Sequence, residues 1–258
     1  MLGLLTLYTG YRHRVVFGVW PDAATMEATA NALPAQPVGV LASALVACIA
    51  FAAYALLPAS LSSDIMTDRL RLGHRPWWGA WGFVAAIGMF GVGALCSGVF
   101  ALAGWEGRGA LGELQRAFAH PSASIVALAV GILGFGAGAG EELFFRGYLQ
   151  TRLAQRWGAF ASVFVSAALF GIAHLDPMHS TFAFLVGLLL GWVSLRAGTI
   201  RVTLVAHVLN NVLSVAALAA GRAEAHTSPR EARAMIVAGA VAVGLCIALF
   251  RRVDARDA

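Results

Sequence analysis

Residues 122–147 have the sequence SASIVALAVGILGFGAGAGEELFFRG, an apolar run that ends in three charged side chains. The run from 122 to 140 approaches the roughly 20 residues that an α-helix needs to cross the hydrocarbon core of a bilayer. A charge at the bilayer centre costs about 2.5–3.5 kcal/mol on insertion scales, and function is the usual reason for it. We therefore expect a membrane helix on which Glu141, Glu142 and Arg146 are functional groups.

The rest of the chain has the same apolar character. Hydrophobic residues make up 59% of the sequence, charged residues only 12%, and the mean hydropathy is +0.76, a balance that excludes a soluble domain. The N-terminal segment 1–20 is interrupted by charges and is interpreted as interfacial or as an additional span. The sequence predicts an all-α polytopic transmembrane bundle with about seven to eight spans. The seven apolar segments lie near residues 38–57, 77–104, 122–140, 158–175, 182–198, 201–220 and 235–250.

The charged residues of the opening stretch have different predicted roles. On a regular α-helix Glu142 and Arg146 are i and i+4 neighbours, so they can pair and partly offset the cost of burying each other. Glu141 points to another face and has no local counter-charge. This isolation suits a general base.

Two later motifs supply groups for the same chemistry. Phe170 is followed four residues later by His174, which can share a water molecule with Glu141. His207 and Asn211 are one helical turn apart and can direct two hydrogen bonds at a developing oxyanion. Asn210 is a less suitable substitute for Asn211.

The spacing along the chain indicates how these motifs can meet. Glu141 and His174 lie symmetrically about Trp157-Gly158, so an antiparallel hairpin turning there places both about 24 Å from the turn. They are therefore expected to face each other. His207 falls early in its apolar segment, and it reaches the same depth only if the helices are tilted, broken or unequal.

The ordered motifs EExxxR, FxxxH and HxxxN resemble those of the CPBP family of intramembrane proteases, also called Abi, whose eukaryotic relatives are the type II CAAX prenyl endopeptidases. The resemblance implies an all-helical membrane endopeptidase that hydrolyses a peptide bond of a membrane-associated substrate. It also implies a role for each matching residue. Glu141 and His174 would activate a water, His207 and Asn211 would stabilise the tetrahedral intermediate, and Glu142, Arg146 and Phe170 would support the site.

Metal dependence stays open at this point. The chain lacks HExxH, the pattern in which two histidines one turn apart bind zinc, and a glutamate mechanism that requires no cofactor is favoured. The alternative is a zinc site with an open fourth position, made by Glu141, His174 and His207.

Three regions follow from the resemblance: N-terminal membrane helices and loops at 1–121, a catalytic core at 122–220, and a C-terminal loop, last helix and cytoplasmic tail at 221–258. The expected partners are a peptide or protein substrate at the membrane and the lipid bilayer. Nucleic acid is excluded because the arginines are scattered over loops and form no basic stripe. The alanine-rich, lysine-free composition favours a bacterial inner membrane.

Two other function classes remain open. A non-catalytic scaffold or immunity protein would keep the fold without the chemistry, yet both water-activating residues are present. A proton-coupled transporter would use the same ionisable groups, but the sequence shows no pair of broken helices in two related halves.

Two further groups of residues have structural interpretations. Gly134 with Gly138, and Gly136 with Gly140, form small-xxx-small pairs that let membrane helices approach closely. Asp176 and His179, beside Pro177 and just past His174, are expected to cap a helix or to line a short loop.

Overall fold

The computed structural model describes residues 13–14, 18–32, 36–74, 78–221 and 227–253. In this part of the chain the regular secondary structure is helical and includes no strand, which confirms the predicted all-α class. The helices are α1 Ala23–Ala32, α2 Pro37–Ser60, α3 Met66–Arg69, α4 Trp78–Leu102, α5 Gly109–Ala117, α6 Ala123–Ala129, π1 Val130–Ala137, α7 Gly138–Glu141, π2 Glu142–Gln150, α8 Thr151–Ile172, α9 Pro177–Ala197, α10 Arg201–Ala219 and α11 Pro229–Phe250.

The helix ends follow from local capping residues. Helix α9 begins with Pro177 after Asp176, whose carboxylate accepts a hydrogen bond from the backbone N–H of His179 at 2.9 Å. This confirms Asp176 as a cap. Helix α9 ends at Gly198, which has a positive φ of 68°. Helix α11 begins with a capping box made by Ser228 and Glu231.

Within the described ranges of the chain, six helical segments are long and apolar enough to cross a membrane: Pro37–Ser60, Trp78–Leu102, Ala123–Ile172, Pro177–Ala197, Arg201–Ala219 and Pro229–Phe250. The predicted count of seven to eight is close, and one reason for the difference lies in the third segment. This segment is counted once, although it contains two of the predicted spans, 122–140 and 158–175, which are joined through the non-helical Gly158. The N-terminal segment 1–20 falls largely outside the described residues.

The third segment is bent back on itself at Gly158. This glycine has φ 77° and ψ 176°, a conformation that side-chain-bearing residues rarely adopt. The two arms then run antiparallel, since the Ser166 hydroxyl donates to the Phe145 carbonyl at 3.0 Å and Phe145 packs edge-on against Phe170. The predicted hairpin at Trp157-Gly158 is thus present.

Helices α4 and α11 pack closely because small residues meet at their interface. A methyl group on Gly239 would lie 2.5 Å from the carbonyl oxygen of Gly91, and one on Gly98 would lie 2.5 Å from that of Ala232. In a bilayer such close backbone approach supplies much of the packing energy between helices. Helices α4, α9, α10, α11 and π2 contribute buried side chains to one core, which holds the site in place.

Candidate active site

Glu141 is the last residue of α7, the short α-helix that lies between the π-helical segments π1 and π2. The sequence predicts regular α-helix throughout this stretch, so the π-helical geometry is a correction. π-Helical turns are rare and often mark functional sites, because they shift the side chains that follow to new faces.

The four glycines before Glu141 bring two other helices close to it. A methyl group on Gly138 would lie 3.1 Å from the backbone nitrogen of Val208 in α10, and one on Gly140 would lie 3.1 Å from the carbonyl oxygen of Cys48 in α2. Gly134 faces α10 and Gly136 faces α2 in the same way. One small-xxx-small pair therefore packs against α10 and the other against α2, which supports the interpretation that these glycines allow close helix packing.

Glu142 and Arg146 form the buried pair that the sequence predicted. Their side chains are 0% and 1% exposed, and Nη1 of Arg146 donates to Oε1 of Glu142 at 2.8 Å. The guanidinium also lies 4.6 Å from the ring centre of Phe170. The arginine is thus held by a carboxylate and an aromatic face, both attractive to a cation.

His207 lies between the two adjacent glutamates. Its Nδ1 is 2.9 Å from Oε1 of Glu142, and its Nε2 is 3.4 Å from Oε2 of Glu141. The expectation that Glu141 points away from Glu142 and lacks a partner is therefore wrong, because both carboxylates reach the same imidazole. Glu141 is nevertheless the more accessible of the two, with 15% of its side chain exposed.

His207 comes level with Glu141 because the turn between α9 and α10 packs partway along the hairpin arm and not at its tip. Ile200, in that turn, packs against Gly147, where a methyl group would lie 3.2 Å from its Cδ1. The arm that carries Gly147 continues ten residues further to Trp157, roughly 15 Å of helix. The helices are thus unequal, which is one of the three arrangements (tilted, broken or unequal) that would bring His207 level with Glu141.

His174 lies beside Phe170, at the end of the second arm. Its Nδ1 is 2.8 Å from the Phe170 carbonyl oxygen, which can only accept, so Nδ1 carries the proton in this contact. The Phe170 ring lies 4.9 Å from the His174 ring and 5.9 Å from the His207 ring. The Phe170 ring thus lies against both histidine rings. No direct hydrogen bond links the described side chains of His174 and Glu141.

Asn211 lies one turn beyond His207 on α10, as predicted. One of its amide hydrogens is donated to the carbonyl oxygen of Leu133 at 3.0 Å, and its own carbonyl accepts from Asn210 at 3.2 Å. Because a primary amide has two N–H donors, the second one is available to another acceptor.

Three further residues contact the site, and one of them, Asn210, is considered above as a substitute for Asn211. Asn210 braces Asn211, the fully buried Thr203 lies beside the Glu142 carboxylate, and the His179 ring lies 4.3 Å from that of His174. Thr203 is i−4 to His207 on α10, a spacing that could have indicated it. His179 lies only five residues after His174, but the contact between the two rings depends on how the intervening loop folds.

The residues of the zinc alternative do not fit a metal site as they are placed. Among the described residues no three histidine, cysteine, aspartate or glutamate side chains are grouped so that they could hold a metal ion, and this includes Glu141, His174 and His207. Nδ1 of each histidine is already occupied, His174 by a carbonyl and His207 by Glu142.

The fold is that of a helical membrane protein, in which His207 contacts both glutamates and the Phe170 ring lies against both histidine rings. Residues 122–213 match the family model described as type II CAAX prenyl endopeptidase Rce1-like. The match contains all three motifs, confirms the resemblance drawn from them, and supports an intramembrane endopeptidase. Comparisons with curated proteins and with solved structures found no match.

Proposed function

We propose that this protein hydrolyses a peptide bond of a membrane-associated peptide or protein, using a water activated by Glu141 and His174. The contrast between the two adjacent glutamates carries this proposal. Glu142 is fully buried and paired with Arg146, so its charge is already balanced. Glu141 is partly exposed, and its only ion-pair contact among the described residues is His207 at 3.4 Å. A carboxylate of this kind remains able to accept a proton.

The tautomer of His174 supports its role beside Glu141. Since Nδ1 donates to the Phe170 carbonyl, the neutral ring presents an unprotonated Nε2. That nitrogen can accept a hydrogen bond from the water and help to orient it for attack. Phe170 contributes by fixing the ring and by excluding other water.

His207 and Asn211 are assigned to the oxyanion. The buried Glu142 carboxylate accepts from Nδ1 of His207, and the Glu141 carboxylate lies 3.4 Å from Nε2, so the two glutamates together balance Arg146 and a positive charge on the ring. In the imidazolium form Nε2 also carries a proton, which it can donate to the developing oxyanion. The second amide hydrogen of Asn211 is the other donor. Donors of this type that are already in place typically contribute about 10²–10³ in kcat.

The proposed reaction uses no metal. The test uses purified full-length protein and a panel of quenched fluorescent peptides. The panel includes prenylated peptides, because the matched family is described as a CAAX prenyl endopeptidase. Wild type is compared with Glu141→Gln and with Glu113→Gln, which removes an exposed carboxylate from α5. Each protein is assayed before and after exhaustive chelation, with metal analysis.

We expect Glu141→Gln to lower cleavage at least about 100-fold, while Glu113→Gln and chelated wild type retain it. Activity that disappears on chelation and returns with zinc would instead favour Glu141, His174 and His207 as ligands. Normal cleavage by Glu141→Gln would refute the proposed base. No cleavage of any peptide by wild type would favour the scaffold or immunity alternative.

A further inference from the structure

An apolar groove runs along the outer face of α10, between that helix, α4 and π1. Its volume is about 550 Å³. Its walls are aliphatic and aromatic side chains, and Arg201 is the one charged residue among them. The lining residues are Leu72, Trp78, Phe83, Phe135, Arg201, Leu204, Val205, Val208, Leu209 and Val212.

The groove is separate from the candidate active site. Val208 and Val212 line it and also pack against Gly138 and Gly134, so the contact between α10 and the glycine segment closes it on that side. At about 100° per residue, His207 projects well away from Val208 on α10. A molecule in the groove would therefore lie behind the catalytic helix and would not touch the proposed reacting groups.

The length of the groove matches one leaflet of a bilayer. Along α10 its lining runs over the twelve residues from Arg201 to Val212, which is roughly 16 Å of helix rise. Half of a hydrocarbon core of about 30 Å is 15 Å. A single acyl chain that enters from one membrane surface would therefore be accommodated over the depth of its own leaflet.

The charge at one end of the groove indicates which headgroup belongs there. Nε of Arg201 donates to the Leu72 carbonyl at 2.7 Å, and the guanidinium lies 5.7 Å from the Trp78 ring centre. Within the described part of the chain no carboxylate lies within ion-pair distance of Arg201. An arginine beside a tryptophan at the end of a membrane helix is placed for the interface, where phosphate groups lie.

We propose that this groove binds one anionic phospholipid, with an acyl chain along α10 and its phosphate at Arg201. The chain occupies the apolar walls from Leu204 to Val212, and the Arg201 guanidinium selects the net negative headgroup over a zwitterionic one. This site is independent of the proposed peptidase reaction, since none of its lining residues takes part in that chemistry.

The test is native mass spectrometry of detergent-purified full-length protein titrated with phosphatidylglycerol or with phosphatidylcholine of identical chains. Variants are Arg201→Gln, Arg201→Lys and Leu204→Trp, which fills the groove without changing charge. The matched control is Arg156→Gln, because Arg156 is an exposed arginine outside the groove. Thermal unfolding verifies that each variant is folded.

We expect wild type and Arg156→Gln to prefer phosphatidylglycerol about fivefold, the effect of one basic residue near a membrane surface. Arg201→Gln should lose this preference, Arg201→Lys should retain it, and Leu204→Trp should weaken binding of both lipids. Glu141→Gln should bind like wild type, which separates this site from the peptidase proposal. Equal binding of the two lipids by wild type, or an unchanged preference in Arg201→Gln, would overturn the proposal.

Discussion

Oε1 of Glu142 accepts a hydrogen bond from Nδ1 of His207 at 2.9 Å, and the same oxygen accepts one from Arg146 at 2.8 Å. One carboxylate oxygen thus connects the hairpin to α10 and contacts both basic groups. All three side chains are at most 6% exposed, so water cannot replace any of these contacts. A substitution of Glu142, which makes both contacts, should therefore destabilise the fold most.

The Glu142→Gln variant should be destabilised as well as inactive. Neutralising this carboxylate leaves the buried Arg146 uncompensated, and breaking a buried pair typically costs about 3–5 kcal/mol. Thermal unfolding in detergent and the yield of monodisperse protein measure this effect. Glu141→Gln is the matched control, since it changes the adjacent and more exposed carboxylate and should keep a near wild-type unfolding temperature. Equal unfolding temperatures for both variants would contradict the assignment of a structural role to Glu142 and of a catalytic role to Glu141.

The Asn211→Ala variant should lose turnover through kcat while KM stays close to the wild-type value. The alanine removes the proposed oxyanion donor, and loss of one such donor costs about 10²–10³ in kcat. Steady-state kinetics on any cleaved peptide gives the separation. Asn210→Ala, which removes only the bracing contact, should have a smaller effect. A larger defect in Asn210→Ala would transfer the donor role to that residue.

The Gly239→Ala variant should weaken the packing of α4 against α11. Its new methyl group would lie 2.5 Å from the Gly91 carbonyl oxygen and 2.8 Å from the Leu95 nitrogen, and backbone cannot move aside easily. We expect a lower unfolding temperature. Gly244→Ala on the same helix meets nothing within 4 Å and should be neutral or slightly stabilising. Similar unfolding temperatures in the two variants would show that this interface adapts freely.

The His179→Ala variant should lower activity without unfolding the protein. The His179 ring packs edge-on against that of His174, and its loss frees the proposed water-orienting ring to turn. Misplacing a reacting group costs between about 10-fold and 100-fold. His179→Phe, which restores an aromatic ring without a titratable nitrogen, should recover most of the activity. If His179→Phe is as impaired as His179→Ala, the nitrogen itself is required.

Much of the architecture was predictable from the sequence, because its signals are local. The apolar segments marked the membrane helices, and the position of Gly158 between two motifs marked the hairpin. The i and i+4 spacing of Glu142 and Arg146 also predicted their ion pair. The apolar segments and the ion pair depend on residues that are close together in the sequence. The hairpin depends on two motifs that are equally far from one turn. Both kinds of pattern are visible in a single sequence.

The orientation of Glu141 could not be predicted, because it depends on long-range geometry. A helical wheel drawn at 100° per residue separates Glu141 from Glu142, whereas the structure brings both to His207. The π-helical turns and the insertion of the α9–α10 turn beside Gly147 cause this difference. Neither has a distinctive residue pattern. The contact between His179 and His174 depends in the same way on how a loop folds.

The geometry of the site also depends on the number of residues in the π-helical segment Val130–Ala137. Two of its carbonyl groups accept from other helices, Ile132 from the Cys48 thiol and Leu133 from Asn211. Deleting one residue here would advance everything that follows by about 100° relative to these anchors and turn Glu141 away from His207. Evolution can therefore exchange apolar residues within this segment. An insertion or deletion there would rotate Glu141, Glu142 and Arg146 together about the helix axis.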